Sequence, residues 1–117
     1  MQLETKKLLE DIRVAADLVF SFIRGKSLDD YRRDAMLKSA VERQFTIIGE
    51  AIRRLSNVDR AVVSQIGDFR RIIAFRNVLV HGYDGVSDDV VWDVVEKDLA
   101  ILIQQIQTIS LDDETKN

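Results

Sequence analysis

Leu37, Val41, Phe45, Ile48, Ile52 and Leu55 recur at intervals of three and four residues, so one helix gathers all six on a single stripe. Such a stripe is stable only against other apolar surfaces. Ile47 and Ala51 widen it, which predicts burial on more than one side and makes this segment the expected central spine. Ser27 is placed to cap it, with Asp29 and Asp30 meeting the exposed N–H groups of the first turn. A single helix from there to about Leu55 is predicted.

The same period recurs on both sides of this spine. Leu8, Ile12, Ala15, Val19, Phe22 and Ile23 share one face of residues 3–24, a helix expected to end near Gly25. In "SNVDRAVVSQIGD", Asn57 or Asp59 opens a short helix that stops at Gly67. Asp68 is the expected cap of "FRRIIAFRNVLVH", whose apolar residues surround the helix too widely for one buried face. Its two sides are therefore expected to meet the core and a second subunit. "GYDGVS" breaks the chain, and Ser87 starts a last helix carrying Trp92, Val95, Leu99, Leu102, Ile106 and Ile109. "NVLVHGY" alternates only briefly and is a weak strand. The fold class read from this pattern is all-α, an antiparallel helical bundle of four long helices plus a short helix.

The chain has 117 residues, 46% of them hydrophobic and 32% charged, which suits one globular domain and excludes general disorder. That domain is expected over residues 1–111, with 112–117 a frayed tail. Without cysteine, disulfides, thiolate metal sites and cysteine nucleophiles are excluded. No carboxylate–histidine constellation suggests a metal, and no cofactor is expected. The N-terminal "MQLETKKLLEDIR" carries charge where a signal peptide needs an apolar core, and no apolar run approaches membrane-spanning length. A soluble cytoplasmic protein with no membrane partner is expected.

Charge is unevenly spread. Net charge is −3, yet Arg53, Arg54, Arg60, Arg70, Arg71 and Arg76 face only Asp59 and Asp68 over residues 53–76. From residue 84 to 98 the sign reverses, with Asp84, Asp88, Asp89, Asp93, Glu96 and Asp98 against Lys97. A basic zone can attract a phosphate backbone and an acidic zone a basic partner, although solvated helix faces explain both equally well. Arg53, Arg54, Arg70 and Arg71 are candidate contacts to a nucleic-acid phosphate backbone, with ordinary solubility explaining each nearly as well. Trp92 and Phe45 are read as core or interface residues, and Gly49 as a site of close helix approach.

The sole histidine, His81, lies in "AFRNVLVHGYDG" with Arg76, Asn77 and Tyr83. On a regular helix Asn77 and His81 are one turn apart, whereas Arg76 and His81 are separated by about 7.5 Å axially and about 140° around the axis. Either the last turn bends, or the arginine of one chain works beside the histidine of another. Imidazole exchanges protons near neutral pH, and arginine grips phosphate oxygens while staying charged. These are the acid–base and electrostatic parts of RNA cleavage through a 2′,3′-cyclic phosphate. Asn77 can orient the histidine or cap the helix. A helix-end histidine is also commonly structural, and a non-catalytic helical RNA-binding or protein-binding module is the alternative.

"RNVLVHGY" resembles the R-x4-H-x-Y motif of the HepT-like toxin family within the HEPN superfamily. The resemblance extends through "AMLKSAVERQFTIIGEAIRRLS" and "FRRIIAFRNVLVHGYDGVSDDVVW", over about residues 5 to 108. It implies a HEPN-type bundle, usually a homodimer, acting as the toxin of a type II or type VII-like toxin–antitoxin pair. By position it implies a metal-independent endoribonuclease with Arg76, Asn77 and His81 in a dimer cleft. It further implies neutralisation by an MNT-type nucleotidyltransferase antitoxin, through binding and through AMPylation of Tyr83. ATP and magnesium would then belong to the partner. Glu50, in the family-like "GEA", can support the site by pairing with an arginine, or form an ordinary structural ion pair. The chain departs from the family in "SQIGDFRRIIAFRN", where a proline-flanked "P-x-I-P-W-R" approach is usual and Phe69 stands for the tryptophan.

Overall fold

A computed structural model of the chain describes residues 1–82 and 86–115. All its regular elements are helices: α1 Leu3–Ile23, α2 Leu28–Arg33, α3 Ala35–Val58, α4 Arg60–Val63, α5 Phe69–His81, α6 Asp88–Asp93 and α7 Leu99–Thr115, with a π-helical segment Val94–Asp98 joining α6 to α7. The fold is an all-α bundle. Its extents of 47 × 29 × 19 Å give a thin dimension of about two helix layers.

The six stripe residues of α3 are all buried, and α1 packs along α3 more extensively than any other pair of helices. Leu8, Ile12, Ala15 and Val19 from α1 complete that contact, and Val95, Leu99, Leu102, Ile106 and Ile109 bring the last helix onto the same core. The α1 helix ends in a turn in which Lys26 N–H donates to the Ile23 carbonyl, with Gly25 in the left-handed region at φ 73°. A side chain there would be strained.

The predicted spine is two helices. Ser27 does cap its start, in a reciprocal box with Asp30, but α2 stops at Arg33 and Asp34 caps a new helix by accepting from Leu37 N–H at 3.0 Å. The break lets Tyr31 turn inward against Trp92, their ring centroids 5.6 Å apart, while Arg32 pairs with Asp89 and Lys38 with Asp88 at 3.1 Å. A continuous helix would carry α2 away from α6.

Asp59 joins three elements. Its carboxylate accepts from Val62 N–H at the start of α4 and from the buried Thr5 hydroxyl of α1. Asp68 begins α5 differently from expectation: its residue is left-handed at φ 57° and its side chain makes no capping bond, while its carbonyl accepts from Arg71 and Ile72. The last helix holds an extra residue in its π turn, where Leu99 N–H donates to the Val94 carbonyl. It runs through Thr115, with Asp113 3.2 Å from the Met1 amino group and 3.9 Å from Lys6. Among the described residues no helix is long and apolar enough to cross a membrane.

Candidate active site

The site is built where α5 crosses α3. At Gly49, α3 presents bare backbone, and a Cβ there would lie 2.6 Å from Arg76 Cγ and closer still to its Cβ. Glycine therefore sets how closely Arg76 approaches. Phe75 packs edge-on against Phe45, their rings 5.4 Å apart at 81°, which fixes the neighbouring turn of α5 on the same helix.

Arg76 is correspondingly restrained, with its side chain 18% exposed. Its Nη2 lies 2.9 Å from Glu50 Oε2, an ion pair without hydrogen-bond geometry, and its Nη1 donates to Asn77 Oδ1 at 3.0 Å. Nε is buried with no partner among the described residues. Glu50 thus pairs with the motif arginine itself. A guanidinium held this way presents only part of its donor fork.

Arg76, Asn77, His81 and Arg53 border one solvent-open depression of about 620 Å³, completed by Val78 and Gly82. The last turn of α5 stays α-helical through His81, and no hydrogen bond joins His81 to Arg76 among the described residues. They share a cavity wall. Tyr83 lies outside the described residues.

The four candidate RNA-contacting arginines separate. Arg53 lines the depression. Arg54 reaches Glu4 at 3.6 Å, Arg70 lies over the Phe69 ring at 4.9 Å, and Arg71 borders a different feature. That feature is an apolar groove of about 410 Å³ between α5 and the α6–α7 rod, flanked by Phe75, Val78, Val90, Val94 and Ile101. Val78 belongs to both cavities; in the sequence it counts among the apolar residues that surround this helix and not among the site residues. Nothing in its apolar side chain marks it as a site residue; its position between the two cavities, at 50% exposure, does.

The profile of the ribonuclease HepT-like family matches residues 12–109, a stretch holding every site residue above. The chain belongs to the HepT-like family. A candidate RNase of Caldanaerobacter subterraneus subsp. tengcongensis is 30% identical over 86% of this chain and 89% of its own. A candidate ribonuclease HepT of Thermococcus cleftensis is 33% identical, covering 87% of this chain and 92% of its own. A gamma-glutamylcyclotransferase and candidate RNase of Methanocaldococcus jannaschii is 31% identical over all of this chain, which spans 53% of that longer protein. No solved structure gives a significant match. Within the HepT-like fold, the Arg76–His81 segment lies on the helix that faces both the depression and the groove.

Proposed function

We propose that this HepT-like protein is a metal-independent endoribonuclease and the toxin of a type II or type VII-like toxin–antitoxin pair. The observation carrying this reading is that Arg76, Asn77 and His81 line one open depression in a chain of this family. Cleavage begins when a ribose 2′-hydroxyl loses its proton and its oxygen attacks the adjacent phosphorus. The bond to the 5′-oxygen breaks, that oxygen takes up a proton, and a 2′,3′-cyclic phosphate remains. Arg76 stabilises charge on the phosphoryl oxygens, and Asn77 holds the guanidinium on the site side through Nη1.

One imidazole cannot accept and donate in the same instant. Two copies of the chain, pairing so that two His81 rings face one cleft, supply base and acid separately. The apolar groove supports such pairing: Val78, Val90 and Ile101 are 50%, 49% and 55% exposed, and Val78 places the groove at the edge of the depression. The neutralising partner in this reading is an MNT-type nucleotidyltransferase antitoxin, which transfers AMP from ATP to Tyr83 and releases pyrophosphate. The added negative charge and bulk oppose entry of an RNA phosphate.

The test is cleavage of end-labelled cellular RNA by antitoxin-free protein in EDTA, beside folded His81→Ala protein, with product termini mapped. Cyclic-phosphate ends made only by the unaltered protein are expected. Equal cleavage by both proteins would remove His81 from the mechanism. Absence of cleavage by either, with Tyr83 unmodified by mass, would favour the non-catalytic binding module.

A further inference from the structure

The depression holds two arginines in unlike states. Arg76 is tethered on three sides: its Cβ against Gly49, Nη2 at Glu50 and Nη1 at Asn77. Arg53 is exposed and forms no ion pair among the described residues. Glu50 and Arg53 are three apart on α3, so one turn of that helix offers the acid that holds Arg76 and a cation that faces the open space.

The remaining cations of the basic zone lie outside the depression. Arg54 is drawn to Glu4, Arg60 and Arg70 lie over the Phe69 ring at 5.6 and 4.9 Å, and Arg71 borders the groove. A chain of net charge −3 that must hold a polyanion has to do so locally. Arg53 is the long cation positioned to do it in the cavity that His81 borders.

Resting on the ribonuclease reading, we propose that Arg53 binds the RNA phosphate next to the scissile one, while Arg76, fixed by Glu50, serves the scissile phosphate. The two arginines divide the work by mobility. A tethered guanidinium is preorganised for charge that develops during reaction, and a free one captures charge already present in the ground state. Arg53 is thus a positioning and affinity residue whose loss acts on substrate binding.

The experiment measures binding of a short fluorescein-labelled 2′-O-methyl RNA, which cannot be cleaved through its 2′-oxygen, to the full chain at several salt concentrations. Cleavage of the corresponding RNA is followed in parallel. Arg53→Gln should weaken binding by about tenfold, lower the salt dependence by about one phosphate contact and raise KM with kcat nearly unchanged. Arg53→Lys should recover most of the affinity, because a phosphate needs charge there more than a fork. Arg54→Gln, with its charge directed to Glu4, should stay close to the unaltered protein. Circular dichroism verifies the fold of each variant. Binding and KM within twofold for folded Arg53→Gln, in a protein that does cleave RNA, would overturn this inference alone. Failure of the unaltered protein to cleave would overturn the ribonuclease reading and this inference with it.

Discussion

The smallest side chain in the site sets its geometry. Gly49 faces the first carbons of Arg76, next to the α5 backbone, rather than the far end of a flexible chain, so a methyl group there cannot be accommodated by a rotamer change. Gly49→Ala gains up to about 1 kcal/mol of helix propensity and loses about 1–3 kcal/mol to overpacking. The expected net result is a lowered Tm together with reduced kcat, read by thermal denaturation and cleavage. An unchanged Tm would mean that α5 is not seated on α3 at this point. The closeness of helices here was legible from a glycine in an apolar stripe. That Arg76 is what approaches it was not, because which residue of α5 meets residue 49 depends on the rotation and crossing of two helices remote in sequence. The same limit left Arg53 indistinguishable from its three neighbours in the basic zone.

Among the elements, the long apolar periods of α1, α3 and the last rod were readable because each buries a face that its spacing defines. The break at Asp34 was hidden: no glycine or proline marks it, and the contact of Tyr31 with Trp92 that accompanies it is tertiary. The short α2 depends instead on its cap. Asp30 accepts from the Ser27 backbone N–H at 2.9 Å, and this bond, with that to the Ser27 side chain, holds its carboxyl below its ordinary value of 3.8. A depressed carboxyl contributes stability that is present above its unfolded-state value and lost as pH falls through the folded-state one. Asp30→Asn should therefore lower Tm at neutral pH, and the gap to the unaltered protein should close as pH drops below 3.8. A gap that stays constant through acid pH would show that the charge of Asp30 does not support the cap. The π turn at Val94–Asp98 was likewise invisible, since the apolar residues around it keep helical spacing in sequence.

At the scale of the molecule, α5 stands apart. Every other helix buries at least one residue, whereas α5 buries none and rests chiefly on α3, with the apolar groove on its other flank. Thinly anchored segments open at lower free energy than the rest of a fold. The sequence pointed toward this with apolar residues on too many sides of the helix, but the extent of its exposure follows from the separation of α5 from the last rod. Amide hydrogen exchange should accordingly be fastest, among the long helices, along Phe69–His81 and slowest where α1 lies on α3. Uniform protection across all of them would contradict that ranking. The consequence concerns occupancy as well as shape: a helix that opens at lower free energy spends a smaller fraction of its time seated than the scaffold beneath it. A second copy seated on the groove, as proposed above, would raise that fraction and keep the two side chains in register more of the time.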